Sequence, residues 1–314
     1  MGRLGPVGIG AAMGALGAAL YLTMLTGSPG ALILVYLAQL PLFAAGLWLG
    51  VGCGAAAGAS ATAVLLAVGG LPAATVFAAL YAAPIMVLVR QALLARHAPD
   101  GTLEWYPPGL LAAWLTGVGL AALGGGIAFF GGPSGIEPLL GDLLAPAINR
   151  FAGDGGASID ALTHVLALVT PGAVAASWMA MTASNAVLAQ GTLARFGKAW
   201  RPSPDLAALA LPLWLSAVLA VAVMLSLLGG ATRFYGVNML IVLSVPFCLA
   251  GLAVLHAAVR RLQYRQIPLV AFYVLAGLFG WPLVVITVLG VLDAPLGLRR
   301  RFAPLPTIGG KIDD

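Results

Sequence analysis

The feature that most constrains this chain is a succession of apolar segments, each about 20 residues long and nearly free of charge. Of its 314 residues only 8% are charged and 61% are hydrophobic, whereas soluble domains carry about 25% charged residues. So few charges cannot keep the surface of a water-soluble fold of this size hydrated. The sequence therefore predicts an all-α, polytopic transmembrane helix bundle in contact with the lipid bilayer, without a separate soluble domain.

Eight segments are long and apolar enough to span a bilayer, and a ninth stretch follows them. The first run resembles a signal peptide, but it is long enough to span and another span follows at once, so we interpret it as a retained helix. Gly and Pro at 27–30 and 69–72 mark turns between neighbouring spans. The predicted spans lie at about 7–26, 31–50, 51–69, 73–90, 110–131, 161–190, 207–228 and 236–259, with the ninth at about 267–292.

The loops between these segments alternate in charge. If Arg3 is cytoplasmic, the loops on its side hold most of the other basic residues, and the opposite loops collect acidic ones. Cytoplasmic loops are typically rich in Lys and Arg, so this pattern predicts a multi-pass protein of the bacterial inner (plasma) membrane with a cytoplasmic N-terminus. The net charge of +5 is then a matter of orientation and anionic lipid headgroups, not of nucleic acid. The basic residues in question are Arg90, Arg96, Arg195, Lys198, Arg201, Arg260, Arg261 and Arg265.

The ninth stretch does not fit this alternation, because basic clusters flank it on both sides. Gly280-Trp281-Pro282 interrupts its middle, and proline removes a helical hydrogen bond. Two arrangements remain open. One is a re-entrant hairpin with both ends in the cytoplasm, and the other is a ninth crossing with an external basic tail.

A short amphipathic helix is predicted in the outer loop that precedes the sixth span. Ser134 and Glu137 have the spacing of a capping box, in which each side chain bonds the backbone amide of the other. Apolar residues then recur at helical spacing, with Asp142 in the polar part. The helix is too short and too polar to cross the bilayer. It is either an interfacial connector or a lid over an outward-facing site, with Ser134, Glu137 and Asp142 as its polar residues.

The sixth span carries polar and aromatic residues at intervals of seven, which places them on one helix face. Polar side chains within a bilayer are costly and usually face the bundle interior. Pro171 should bend this helix and leave a carbonyl near Ala167 in need of a partner. The face either forms interhelical hydrogen bonds or lines a small-molecule pocket. The predicted pocket residues are His164, Trp178, Thr182 and Asn185, with Gln39 from a neighbouring helix.

The first span carries small residues four apart, at Ala11, Ala15 and Ala19, beside a second row that includes Gly10 and Gly14. Residues with this spacing share one face, on which another helix can dock closely. The row serves either internal packing or the docking of a partner subunit.

No motif in the sequence carries recognisable catalytic chemistry. There is no metal-ligand spacing, nucleophile elbow, phosphate-binding loop or paired-carboxylate motif. The two cysteines, Cys53 and Cys248, lie in apolar segments and are interpreted as buried thiols. We therefore expect no catalytic residues, no metal, no cofactor and no enzymatic activity.

Three features together resemble the YybS-like family of uncharacterised bacterial membrane proteins. They are the loop Phe196-Gly-Lys-Ala-Trp-Arg-Pro, the span that follows it, and Leu289-Gly-Val-Leu-Asp293 followed by Leu298-Arg-Arg. That family is distantly similar to the S components of energy-coupling-factor transporters, in which six helices hold a vitamin and dock on a membrane coupling subunit. The resemblance implies a six-span, S-component-like bundle at 1–190. Residues 191–314 then form C-terminal spans and a basic cytoplasmic tail of the same membrane unit.

These observations leave two classes of function. In the first, the protein is a binding or transport component for a small solute that enters from the outer face, working with a membrane coupling subunit as partner. In the second, it is a non-transporting membrane scaffold or envelope assembly factor.

Overall fold

The computed structural model describes residues 5–131, 135–152, 157–206, 209–260 and 262–301, and this part of the chain is almost entirely helical. It confirms the all-α bundle and the short amphipathic helix before the sixth predicted span. The helices are α1 Pro6–Leu22, α2 Pro29–Tyr36, α3 Leu40–Leu49, α4 Val51–Phe77, α5 Ala83–Ala92, α6 Pro108–Phe130, α7 Ile136–Ala152, α8 Ala157–Arg195, α9 Leu213–Ser226, α10 Gly230–Val259, α11 Gln266–Phe279, α12 Trp281–Leu296 and α13 Leu298–Arg301.

Three shorter elements complete the described fold. A 3₁₀ turn, Thr23–Thr26, extends α1, and a π-helical turn, Ala78–Ala82, joins α4 to α5. A small antiparallel hairpin pairs β1 (Ala95–His97) with β2 (Leu103–Trp105), and the sequence analysis did not predict it. Its exposed ion pair, Arg96 to Glu104, joins directly opposite positions of the two strands.

Six helical segments are long and apolar enough to cross a bilayer, and a bent helix pair adds a seventh candidate. The segment predicted at 207–228 forms only the 14-residue α9, which is shorter than a bilayer core requires. The six segments are Pro6–Thr26, Pro29–Leu49, Val51–Ala92, Pro108–Phe130, Ile159–Arg195 and Gly230–Val259, and the bent pair is Gln266–Phe279 with Trp281–Leu296.

The longest of these segments, Val51–Ala92, reverses direction at Gly70. Gly70 has φ 75° and ψ −176°, a conformation that side chains disfavour. Added Cβ atoms at Gly58 and Gly54 would lie 3.2 Å from the Ala82 Cβ and 2.7 Å from the Met86 methyl group. The arms on either side of Gly70 are therefore packed antiparallel, as the prediction of two separate spans with a turn at 69–72 requires.

Glycines in α1 allow close packing against the arm of α4 that follows Gly50. A Cβ at Gly14 would lie 2.0 Å from the Ala57 carbonyl oxygen, so no larger residue fits there without a shift. The row that contains Gly10 and Gly14 is thus used for internal packing. In the neighbouring row, Ala11 and Ala15 are half-buried and Ala19 is exposed.

Most basic side chains of the described residues lie at one end of the bundle, where some acidic ones, such as Glu104 and Asp205, pair with them. The Lys198 ammonium group lies 4.1 Å from the Trp48 ring centre, and Arg201 donates to the Ala92 carbonyl. These contacts bring the ends of α3 and α5 and the segment after α8 together. We call this the basic end. The opposite end holds the Gly70 turn, α7 with Glu137 and Asp142, and the start of α10, and we call it the acidic end.

The C-terminal helices return to the basic end. Gly280 has φ 70°, and the axes of α11 and α12 differ there by 118°. Arg260 pairs with Asp205, and Arg299 donates to the Leu209 carbonyl. Asp205 and Leu209 are four residues apart, a distance much shorter than the thickness of a bilayer. Both basic clusters therefore lie near one segment, as the re-entrant arrangement requires and a ninth crossing does not.

Candidate functional site

The residues proposed from the sequence to form one pocket occupy two separate places. His164, Glu137 and Asp142 line an open cavity at the acidic end. Trp178, Thr182, Asn185 and Gln39 lie within the packed interior, where α8 meets the breaks in its neighbouring helices. The sequence placed them together because they share one helix face, but α8 is long enough to carry that face from one end of the bundle into its interior.

The cavity at the acidic end has a volume of about 830 Å³. It lies between α7, α8 and the start of α10. His164 is exposed at its wall, and the aromatic residues Phe234 and Tyr235 close the α10 side. A volume of this size falls in the range of small-molecule pockets, about 300–1,000 Å³.

Three carboxylates set the charge of this cavity: Glu137 and Asp142 from α7, and Asp160 from α8. Cavity walls that carry one sign of charge concentrate ligands of the opposite sign and repel those of the same sign. Helix α7 packs along α8 and forms one wall of the cavity. Ser134, the proposed cap of this helix, lies outside the described residues.

In the interior, Asn185 bridges a break between α2 and α3. Pro41 has no backbone N–H and disfavours a continuous helix before it, and residues 37–39 form turns instead. The Tyr36 carbonyl accepts a hydrogen bond of 2.6 Å from Asn185 Nδ2. The same nitrogen donates to the Met181 carbonyl, one turn earlier on α8, at 2.8 Å. The Tyr36 hydroxyl also lies 2.9 Å from Ser177 Oγ, so two contacts tie this break to α8.

Trp178 bridges the π-helical turn between α4 and α5 in the same manner. Pro84 follows that turn, and it cannot donate to the carbonyl of Leu80, four residues before it. Trp178 Nε1 donates to that carbonyl instead, at 2.9 Å. Thr182 is fully buried and donates to the Trp178 carbonyl of its own helix. Both side chains thus have structural partners, which the sequence left open.

Gln39 lies at the end of the Pro41 break and is fully buried. Neither its Nε2 nor its Oε1 has a hydrogen-bond partner, and Asn185 Oδ1 also has none. Unpaired polar groups in a membrane interior cost several kcal/mol each, because no bulk water reaches them. Three unpaired amide atoms at one helix break are therefore a candidate binding site.

Asn238 on α10 is a buried polar residue that the sequence analysis left without a role. It inserts at Pro171, where its Oδ1 accepts from the Gly172 N–H at 2.5 Å and its Nδ2 donates to the Leu168 carbonyl at 2.9 Å. Those backbone groups would bond each other in a regular helix. The sequence predicted a partner near Ala167, and the carbonyl that Asn238 contacts is that of Leu168, the next residue. The only signal in the sequence was an amide in an apolar span.

A second polar contact that the sequence did not pair joins Asp293 and Arg299. The Asp293 side chain is 2% exposed, and its Oδ2 lies 2.7 Å from Arg299 Nε. Its Oδ1 accepts from the Arg299 backbone N–H, at 3.1 Å. The pair fixes the turn between α12 and α13. Among the described residues, no group of three His, Cys, Asp or Glu side chains is arranged to hold a metal ion.

Residues 156–294 match a family described as predicted membrane protein (DUF2232). The matched region begins with α8 and extends into α12, so it contains Trp178, Asn185, Asn238 and Asp293. It supports an integral membrane protein and carries no assigned activity. No curated protein and no solved structure matches the chain.

Proposed function

We propose that this protein is a binding or transport component for a small solute that enters through the cavity at the acidic end. The observation that carries the proposal is the cavity itself, with a volume of about 830 Å³ and three carboxylates in its wall. A helix bundle that served only as a scaffold has no need of such an opening beside an amphipathic helix.

The charge of the cavity restricts the solute. Glu137, Asp142 and Asp160 together repel anions, so neutral and cationic molecules enter in preference. Phe234 and Tyr235 provide an apolar wall beside these charges. The solute is therefore a compact molecule with an apolar part and no net negative charge.

The S-component-like plan remains part of this proposal. In it, 1–190 provides most of the solute's contacts, and α10 completes the wall with Phe234 and Tyr235. Ala11, Ala15 and Ala19 dock on a membrane coupling subunit that supplies the energy. The exposure of Ala19 and the half-exposure of Ala11 and Ala15 leave room for such contact. The acidic end then faces outward in the bacterial inner membrane, with the N-terminus in the cytoplasm.

Thermal unfolding of the purified protein tests the proposal. A panel of amines, neutral amino-acid derivatives and nucleobases is compared with carboxylates of similar shape. A solute that binds the folded state raises the melting temperature. Asp142→Asn should weaken the effect of cationic solutes. Glu104→Gln, which removes a carboxylate from β2, should leave it unchanged.

Uptake by cells gives the second arm of the test. Any solute found in the panel should accumulate in cells that contain the native chain, and less in cells with Asp142→Asn. If no solute stabilises the protein, or if carboxylates stabilise it as well as amines do, the binding proposal is wrong.

The scaffold alternative is favoured by one specific feature, α11. This helix is apolar on every side, and Ile267, Val270, Leu278 and Phe279 are each more than half exposed. Affinity purification of the intact complex from membranes separates the two functions. Recovery of a transporter coupling subunit with an ATPase supports transport, whereas recovery of envelope assembly proteins supports the scaffold.

A further inference from the structure

The amide of Gln39 is the least satisfied polar group among the described residues. Its side chain is fully buried, and neither its donor nor its acceptor has a partner. It is the last of the non-helical residues 37–39. The carbonyl of Tyr36, which precedes them, accepts a hydrogen bond from Asn185. Asn185 Oδ1 is also buried and unpaired. Two side chains at one break thus offer one donor group and two acceptors.

These groups have a defined chemical complement. An amide presents a C=O and an N–H side by side, so a second amide can pair with it through two hydrogen bonds. A primary carboxamide in this position would accept from Gln39 Nε2 through its oxygen and donate one N–H to Gln39 Oε1. Its remaining N–H is available to Asn185 Oδ1. Neither a carboxylate nor a ketone has the donors that this set requires.

Aromatic side chains lie on α1, α4 and the π-helical turn, and α1 reaches this break at Gly17, where an added Cβ would lie 2.9 Å from the Ala38 carbonyl oxygen. The rings of Tyr21, Phe77 and Tyr81 contact one another, with centroids 5.0–5.3 Å apart. Leu80, the residue before Tyr81, is held by Trp178 on α8. A ligand with a flat apolar body beside its polar group suits such surroundings.

We propose that Gln39 and Asn185 form a binding site for an uncharged carboxamide-like group on an aromatic or otherwise flat molecule. The site deepens the proposed function, because it lies farther along the bundle than the acidic cavity and takes the solute after it has entered. Broken transmembrane helices supply binding groups in many transporters, since their backbone departs from the helix only where protein surrounds it. Binding requires the break at 37–39 to open, because Gln39 has no solvent access in this conformation.

The experiment measures thermal unfolding of the full chain in detergent micelles with three probes of similar shape. Benzamide has the complete donor and acceptor set, acetophenone has the acceptor alone, and benzoate carries a negative charge. At a concentration of about ten times its Kd, benzamide should raise the melting temperature by roughly 2–4 °C, the shift expected when a protein of this size gains about tenfold in its folding equilibrium. Acetophenone and benzoate should give no comparable shift.

The matched variants are Gln39→Leu and Gln39→Met, which keep the volume of the side chain and remove its hydrogen-bonding atoms. Both should fold, because they place an apolar group in an apolar site, and both should lose the response to benzamide. A benzamide response that persists in both variants overturns the proposal. So does an equal response to acetophenone, or the absence of any response in the native chain.

Asp142→Asn separates this proposal from the proposed function. It should keep the benzamide shift, because Asp142 lies in the acidic cavity and not at the break. If cationic solutes bind and depend on Asp142 while benzamide has no effect, the cavity stands and the Gln39 site fails. If benzamide binds through Gln39 but cells accumulate no solute, the site stands and transport fails.

Discussion

Helical hydrogen bonding is interrupted at Pro171, within the continuous helix α8, and at Pro41, between α2 and α3. Each of these breaks is bridged by an asparagine from a neighbouring helix, and the two asparagines differ in the partner of one atom, Oδ1. Asn238 and Asn185 both donate to a carbonyl at the break and to the carbonyl four residues earlier on their own helix. At Pro171 the side-chain oxygen also accepts a backbone N–H, whereas at Pro41 it has no partner.

This difference separates a structural site from a site with unused binding capacity. At Pro171 an inserted amide completes the hydrogen bonds of the helix it enters, and it leaves nothing for a ligand. At Pro41, Asn185 donates to the Tyr36 carbonyl, but its Oδ1 has no partner. The unpaired amide of Gln39 belongs to the same break. The two breaks should therefore respond in different ways to the loss of their amides.

The largest expected effect is that of Asn238→Leu. The substitution leaves the Leu168 carbonyl and the Gly172 N–H buried without partners, so the free energy of unfolding should fall by about 2–4 kcal/mol. Unfolding in mixed detergent micelles measures this. Ser244→Ala on the same helix is the control, because the Ser244 hydroxyl bonds only a carbonyl of its own helix. Equal stability of Asn238→Leu and the native chain would remove the distinction between the two breaks.

Asn185→Leu should cost less, about 1 kcal/mol. It removes the donor to the Tyr36 carbonyl, but it also removes the unpaired Oδ1, and these changes partly offset each other. The same unfolding measurement applies. A loss as large as that of Asn238→Leu would mean that Oδ1 has a partner in the native state, and the Pro41 break would then be closed as well.

Trp178→Phe tests the third bridged carbonyl with a substitution that keeps an aromatic ring. The loss of the indole N–H leaves the Leu80 carbonyl without its donor, which should lower the free energy of unfolding by about 1 kcal/mol. Trp114→Phe is the control, because the Trp114 indole bonds an exposed tyrosine hydroxyl and bridges no helix break. Destabilisation of the Trp178 variant alone would show that the indole N–H of Trp178 stabilises the fold through the Leu80 carbonyl.

Gln39→Leu should produce the smallest change and the opposite sign. It removes two unpaired polar atoms from a buried position, so stability should stay the same or rise by up to about 1 kcal/mol. A clear loss of stability would show that the Gln39 amide is satisfied in the folded protein. The two breaks would then differ only in the unpaired Oδ1 of Asn185.

Much of the fold follows from the sequence because the bilayer allows few alternatives. The apolar runs and the turns at 27–30 and 69–72 predicted most of the described helices, but not the break that divides the segment at 31–50 into α2 and α3. The amphipathic α7 also lies where its pattern indicated. In contrast, α9 is shorter than its apolar run, because residues 209–212 pack as non-helical chain beside α10.

The candidate site was less predictable, because its partners are distant in the chain. Pro171 indicated that a carbonyl needed a donor, but the donor, Asn238, is 70 residues from Leu168. The intervals of seven placed His164 and Asn185 on one helix face, but they did not indicate how far each side chain lies from the acidic end of the bundle. Depth depends on where each residue lies along α8 relative to the breaks in other helices, and a single helix does not encode that.

The turn at Gly70 determines whether an even or an odd number of membrane crossings precedes each later loop. If Val51–Ala92 crossed the membrane once, every later loop would exchange sides, and the β-hairpin with Arg96 would lie opposite the α3–α4 turn. Because the chain doubles back, labels placed in that hairpin and in the α3–α4 turn should react with the same impermeant reagent from the same face. The conformation of one glycine, with φ 75°, thus determines the side of the membrane on which each later loop of the described chain lies.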